Sequence, residues 1–514
     1  MGTDTEVVIV GFGPVGAALA NMLGMRGIRT VVLERELDVY PLPRAAHIDH
    51  QGLRLLQEID CLDKVLPDMI PNRRLDLVNA KRELLARVSA DQPSVSGLPL
   101  SMYFYQPPFD RLLRDRAQDK LSVDTTLGVE VTGFSQDEKG VWVRYSGEDG
   151  VEHALRTAWL IGCDGARSRI RESAGIQQKS LNFEERWLVI DLLIKKPQPQ
   201  LPLDHVLQVC DPARPYLSTP ISHDRQRFEY MLLEGERVED VTQRAFVEKL
   251  LEVWLDRESF EVTRAAVYTF QGLVAEKWRE GRVLIAGDAA HLMPPFLGQG
   301  MCSGFRDVSN LAWKLDLVIN RGASLDLIDT YQIERSPHVT AIVEAAIRFG
   351  RVVCEIDPAR AEARDRALLS KQSADRDGLS FGLPKLKAGS LIFEGGGGLF
   401  IQPQIAGRRL DDIVGSRFLV VAREVAGLGC SADWWRALGA LVLTAEELGG
   451  EAVVAWLDRY GHDVVVVRPD RYVLGAGKSL DALTDRVRHA LAIKLLPESE
   501  YGSLHELVSD ATQA

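Results

Sequence analysis

Apolar positions along the chain follow two rhythms. Short continuous runs, Val7-Val8-Ile9-Val10, Thr30-Val31-Val32-Leu33 and Val283-Leu284-Ile285-Ala286, predict strands buried on both faces. Between the first two runs, residues 14–26 carry a helical pattern, and Gly27 is placed to close it. Strand, helix and strand form a βαβ unit. Residues 74–105 alternate and predict hairpins, 106–120 a helix, and 129–145 and 154–161 strands. From about 181 to 270 the pattern turns strand-rich, as at 187–194 and 228–233, with one helix over 241–255. Met301, Phe305, Val308, Leu311, Ala312 and Leu315 return to helical spacing. Residues 357–405 hold a charged helical stretch and then Gly395-Gly396-Gly397-Gly398, a bent or flexible connection. Beyond it, strands at 417–423 and 463–468 with flanking helices predict a small α/β unit.

Glycine and aspartate punctuate these strands at chemically informative places. Gly11-x-Gly13-x-x-Gly16 follows the first strand: Gly11 for the tight turn, Gly13 for backbone approach to a pyrophosphate, Gly16 for helix–strand packing. The helix start at Pro14 and Val15 offers free N–H groups and a positive dipole end. Glu34, followed by Arg35, ends the second strand, where a carboxylate accepts ribose hydroxyls and disfavours a 2′-phosphate. A second element is Cys163-Asp164-Gly165-Ala166-Arg167-Ser168. A third runs from Gly287-Asp288 through Pro295 to Gly298, Gly300, Met301 and Cys302. There Asp288 can bind sugar-alcohol hydroxyls, while Gly298 and Gly300 admit a ring carbonyl to backbone N–H groups. Three such elements in one chain predict a long, extended dinucleotide. His291 reads as a structural hydrogen bonder.

Composition narrows the field. The 514 residues allow two or three domains, and 46% hydrophobic with 26% charged residues is ordinary for a soluble globular protein. The net charge of −12 argues against nucleic acid, which needs concentrated Lys and Arg. The six cysteines form no C-x-x-C and none sits at zinc-ligand spacing, so reduced thiols, a cytoplasmic location and no metal are expected. Thr3 to Glu6 lead directly into a strand without a signal-peptide pattern, and no apolar run is long enough for a membrane span.

The three elements together resemble the class A flavoprotein aromatic hydroxylases, over residues 1 to about 390. A closer resemblance is to the 3-(3-hydroxyphenyl)propionate hydroxylase group. It is carried by Tyr40-Pro41-Leu42-Pro43-Arg44-Ala45 with His47, by Trp187-Leu188-Val189-Ile190-Asp191 and by Cys210-Asp211-Pro212-Ala213-Arg214-Pro215. Phe228-Glu229-Tyr230-Met231-Leu232 and Arg468-Pro469-Asp470-Arg471-Tyr472-Val473 add to it. The resemblance implies an α/β fold: a Rossmann-like FAD-binding domain, an inserted β-sheet substrate domain as in para-hydroxybenzoate hydroxylase, and a small thioredoxin-like C-terminal domain. The expected division is 1–180 (with 72–105 contributing to the substrate domain), 181–270 as substrate domain, 271–390 as the second FAD part, and 405–514 as the tail. Lacking C-x-x-C, the tail is expected to support folding or homodimer contacts and not disulfide exchange.

The implied chemistry is reduction of FAD by NADH or NADPH, addition of O₂ as a flavin C4a-hydroperoxide, and oxygen transfer to a small phenolic ring. A tailoring hydroxylase or Baeyer–Villiger-type oxygenase on a larger polyketide would carry the same motifs. The W-x-W of flavin halogenases is absent from the nine tryptophans. By the same resemblance, Asp164, Gly165 and Arg167 serve FAD and NAD(P)H, Arg44 and Gln106 touch the flavin or its phosphates, and Pro295 lies near the reacting hydroxyl. His47 is the candidate base that deprotonates the phenol. In the strand around 227–230, alternation puts Arg227 and Glu229 on one face and Phe228 and Tyr230 on the other. The resemblance turns Arg227 and Glu229 to the pocket; a solvated polar face is the competing reading. Tyr216 and His223 are further pocket candidates whose direction stays open. Cys302 departs from the Asn that many members carry.

Overall fold

A computed structural model describes residues 3–370, 382–387, 389 and 391–491. The expected segments 271–390 and 405–514 therefore run in part outside the described residues.

The apolar runs become the centre of an eight-stranded sheet. Its main path is Arg279–Glu280, Val283–Ile285, Glu152–Gly162, Thr5–Val10, Thr30–Glu34 and Val123–Leu127. Four successive pairs are parallel, from Val283–Ile285 to Val123–Leu127. Val7, Val8 and Ile9 are fully buried, as expected of a strand at the centre of a parallel sheet. The hairpin Glu130–Asp137 and Gly140–Ser146 adds to the strand Glu152–Gly162. Helices Pro14–Gly24, Gln106–Gln118 and Gly300–Arg321 pack around this layer.

A second eight-stranded sheet stands over it. Its order is His291–Leu292, Phe260–Ala275, Gln178–Ile194, Arg225–Met231, Tyr216–Ser222, His205–Cys210, Arg74–Asn79 and Leu84–Ser89. The hairpin Arg74–Asn79/Leu84–Ser89 joins through a parallel pairing to His205–Cys210, so residues distant in sequence complete one sheet. One face packs Phe228, Tyr230, Leu188 and Ile190 against Val241, Val247, Leu251 and Trp254. The helix expected over 241–255 is two shorter helices, Val238–Val241 and Arg244–Leu251, because Gln243 takes an extended backbone and restarts the turn. The first helix likewise stops at Gly24, with Gly27 at φ +67° in the turn beyond. A small sheet of His47–Asp49, Ser101–Tyr103 and Ile70–Pro71 lies at the junction of the two large sheets.

The C-terminal unit is thioredoxin-like, with a four-stranded sheet ordered Leu441–Thr444, Leu419–Ala422, Val464–Val467, Val473–Gly477. The first pair is parallel and the others antiparallel. Its apolar face, including Val420 and Val466, shares a core with Trp313 and Leu317 of the long helix. Charged contacts cross the same seam: Arg468 meets Glu334 at 2.9 Å and Arg54 pairs with Asp411. All six cysteines are free thiols. Among the described residues no helix is long and apolar enough to cross a membrane, and no three His, Cys, Asp or Glu side chains gather as a metal site.

Candidate active site

The two sheets enclose a cavity of about 1800 Å³, and the three motifs line it. Each glycine of the first motif does a different job. A Cβ on Gly11, which sits at φ +99°, would lie 2.5 Å from the Cys163 carbonyl oxygen, and one on Gly16 would lie 2.0 Å from the Gly11 carbonyl oxygen. Both positions are closed by packing. At Gly13 a Cβ would meet nothing within 4 Å, so this side of the turn opens onto the cavity. The following helix starts with Pro14, has no side-chain cap and carries no acidic residue in its first turn. Its unpaired N–H groups and positive end suit an anion. Glu34 and Arg35 lie on the cavity wall. The Glu34 carboxylate accepts from the N–H of Phe12 (2.5 Å) and of Glu36 (2.9 Å).

The other two motifs face the same space. Asp164 accepts from the Ile170 N–H at 3.1 Å through Oδ2, while its Oδ1 is buried without a partner. Burial pushes its carboxyl pKa up. Gly165, at φ +82°, has open space where a Cβ would stand, and Arg167 is an exposed cation on the rim. Asp288 is deep in the protein yet presents surface to the cavity, and burial raises its carboxyl pKa too. Gly287 lies one layer back, packed on Val15. Pro295, Gly298, Gly300 and Met301 line the cavity, and the helix Gly300–Arg321 also begins without a side-chain cap. Cys302 lies behind this wall; burial pushes its thiol up, away from thiolate chemistry. Gln106 ties the 43–45 loop in place by accepting from the Arg44 and Ala45 N–H groups, each at 2.7 Å. Arg44 itself stacks 5.1 Å from the Tyr40 ring centre and lines the cavity.

An extended dinucleotide fits these residues. Open cradles at Gly13, Gly165 and Gly300, two uncapped helix starts and the orphaned Asp164 oxygen together match phosphates, a hydroxylated chain and a ring edge.

The second sheet forms the opposite wall. As alternation predicts, Arg227 and Glu229 face the cavity while Phe228 and Tyr230 enter the core behind. The neighbours of Arg227 come from strand register: Asp191 lies opposite both Arg227 and Arg264. Arg227 donates to Asp191 through Nε (2.7 Å) and Nη2 (3.2 Å), and to the carbonyls of Arg44 (2.9 Å) and Pro43 (2.7 Å). It braces the 43–45 loop against the sheet. Burial opposes its charge, but Asp191 beside it raises its pKa overall. Glu229 has its carboxyl 4.0 Å from Arg227 Nη1, and burial raises its pKa.

His47 stands where the two walls meet. Nδ1 lies 2.9 Å from the Gly298 carbonyl, which can only accept, so that nitrogen carries the proton. Nε2 then accepts from the Ser101 hydroxyl at 2.6 Å, and Asn72 Nδ2 donates to Ser101 Oγ at 2.9 Å. Burial pushes the His47 pKa down, holding the ring neutral and ready to take a proton. Ser101, Asn72 and Tyr103 were not singled out from the sequence. Alternation places Ser101 and Tyr103 on one face, but their position beside His47 depends on the pairing of His47 with Tyr103. Tyr216 and His223 are not on the cavity wall; Tyr216 stacks on Tyr230 and accepts from Arg82 at 2.7 Å. His291 is a buried structural group, 2.6 Å from Asp307, which also pairs with Arg335.

One cavity lined by the three glycine and aspartate elements on one side and by a mixed sheet on the other is the architecture of an FAD-dependent aromatic hydroxylase. The chain belongs to the FAD binding domain family of these flavoproteins, whose model matches residues 4–346; an HcaD C-terminal domain model matches 397–490. A Rhodococcus jostii (strain RHA1) protein named "Probable NADH-specific resorcinol 4-hydroxylase" is 34% identical, covering 95% of this chain and 94% of its own. A Mycobacterium sp. (strain JLS) protein named "3-(3-hydroxy-phenyl)propionate/3-hydroxycinnamic acid hydroxylase" is 34% identical, covering 92% and 89%. Among solved structures, a ternary complex of aklavinone-11 hydroxylase with FAD and aklavinone matches with a TM-score of 0.77 at 24% identity, over 96% of this chain and 100% of that one. At that identity the likeness concerns the fold.

Proposed function

We propose that this protein is an FAD-dependent, NAD(P)H-consuming monooxygenase that hydroxylates a small phenolic ring. The observation that carries the reading is the hydrogen-bonded run Asn72–Ser101–His47–Gly298, which spans from the ring pocket to the cofactor loop. Gly13 and Val15, on the turn that Gly11 and Gly16 make possible, would hold the adenosine and pyrophosphate end with Glu34; Asp164, Asp288, Gly298, Gly300 and Met301 would hold the chain and ring end. Held there, FAD would supply the redox chemistry, accepting electrons from the nicotinamide and activating O₂ for transfer to the ring.

The protein's own part is orientation and proton handling. Ser101 Oγ has two lone pairs, and Asn72 occupies one. The other can accept a phenol O–H, while the serine proton moves to His47 Nε2. A more anionic phenol oxygen makes the ring a better nucleophile. Pro295 and the Gly298 loop close the pocket next to the cofactor, and the apolar wall keeps water from the reacting centre. Residues 72–105 and 181–270 supply the substrate side. The NADH-specific relative supports NADH as the reductant. A homodimer and a cytoplasmic location complete the reading; sedimentation and cell fractionation check them.

The test is reduction of the purified holoenzyme by NADH under anaerobic conditions, with and without phenols, followed by product analysis in air. Faster bleaching with a phenol and a hydroxylated product support the reading. No bleaching under any condition overturns it.

A further inference from the structure

The polar inventory of the ring-side wall has a sign. Among the described residues, Arg227 is the one lysine or arginine that the second sheet contributes to the cavity. Its donors are already committed to Asp191 and to the Pro43 and Arg44 carbonyls. Arg264 also pairs with Asp191, at 2.7 Å. Two guanidiniums thus face two carboxyl groups, Asp191 and Glu229, and no positive charge is left over.

Two acceptors on this wall lack a donor. Glu229 receives no hydrogen bond, with Arg227 Nη1 no closer than 4.0 Å, and Asn72 Oδ1 is buried without a partner. Leu75, Val88, Val206 and Leu217 supply an apolar wall for a ring. A carboxylate brings only lone pairs, so against this sheet it would meet two acceptors and no free cation. A hydroxyl brings the proton that these groups lack.

Given the monooxygenase reading above, we infer that the pocket selects an uncharged arene bearing at least two hydroxyl groups and discriminates against an arene with a carboxylate arm. One hydroxyl reaches Ser101 for activation; another donates to the acceptor set, of which Glu229 is the specificity-determining member. This separates two chemistries that the relatives' names place side by side.

The experiment compares resorcinol, 3-(3-hydroxyphenyl)propionate and the uncharged 3-(3-hydroxyphenyl)propan-1-ol on the FAD-loaded full chain. Dissociation constants come from the flavin absorbance change and turnover from the hydroxylated product. Resorcinol is expected to bind at least about tenfold more tightly than the acid, because the acid leaves its charge unpaired in a buried site. The alcohol is expected to bind more tightly than the acid, and Glu229→Gln to shrink the acid's handicap severalfold. If that variant does not fold, the alcohol–acid comparison on the unaltered protein decides alone. An acid that binds and turns over as well as the alcohol and resorcinol overturns this inference while leaving the monooxygenase reading intact. A holoenzyme that neither binds nor hydroxylates any of the three overturns both.

Discussion

Alanine at Gly13 and at Gly16 gives opposite outcomes if the first glycine turn grips a pyrophosphate. At Gly13 the backbone is at φ −69°, ψ −178°, a conformation that alanine adopts freely, and a Cβ there touches no protein atom within 4 Å. Replacing glycine at a compatible position stabilises a fold by about 0.4–1 kcal/mol through the unfolded chain. The apoprotein of Gly13→Ala is therefore expected to melt at the same temperature as the unaltered chain or slightly above it. The same methyl stands where a phosphate would approach. Losing one charge-assisted backbone hydrogen bond costs about 1.5–3 kcal/mol, roughly a 10- to 150-fold weaker Kd for FAD. Gly16→Ala acts the other way round, because its Cβ would stand 2.0 Å from the Gly11 carbonyl oxygen. The helix must shift off the strand, at about 1–3 kcal/mol or more, and the apoprotein Tm falls. The assays are calorimetry of both apoproteins and FAD titration followed by flavin fluorescence. A Gly13→Ala protein that binds FAD with unchanged affinity would show that the open side of the turn does not face the phosphates.

Three further outcomes follow from the site. His47→Ala should keep FAD but lower kcat about 10²–10⁴-fold at neutral pH, and the deficit should narrow toward pH ~10, where phenols ionise unaided; an unchanged kcat at pH 7 would remove His47 from the mechanism. Burial raises Asp110 to about 7. A carboxyl that binds its proton more tightly in the folded state loses stability as pH rises from about 3.8 to about 7. Asp110→Asn, whose oxygen can still accept from Gln106, should therefore raise the apoprotein Tm at pH 8, relieving roughly 2–4 kcal/mol, and leave it nearly unchanged near pH 4. An equal gain at both values would contradict that assignment. Arg227→Met should destabilise the fold by about 3–5 kcal/mol, because it breaks a buried ion pair and frees the 43–45 loop; thermal melts read it, and a Tm within a degree of the parent would show that the brace is dispensable.

Local chemistry made much of this architecture legible. A β-branched run, a glycine turn and a helical stripe follow one another within the first 34 residues, and each is dictated by its own neighbours. The facing of Arg227 and Glu229 was equally local, since alternation in a strand is a property of the backbone. What Arg227 holds was not readable, because Asp191 and the Pro43 and Arg44 carbonyls reach it only through strand register and sheet packing. The His47 environment is nonlocal in the same way: Ser101 and Gly298 lie 54 and 251 positions away. The break between Val241 and Arg244 was missed because no proline or glycine marks it. Nothing in the hairpin of residues 74–89 announces its parallel seam with His205–Cys210, which completes the pocket wall.

In a monooxygenase of this kind, one oxygen atom passes from O₂ to a phenolic ring through FAD held in this cavity. The most direct test is turnover of the FAD-loaded protein with NADH and resorcinol under ¹⁸O₂, with mass spectrometry of the product. One labelled oxygen is expected in each hydroxylated ring, and none when label is supplied only as water. NADH consumption that yields peroxide and no labelled aromatic product across the phenol series would contradict it.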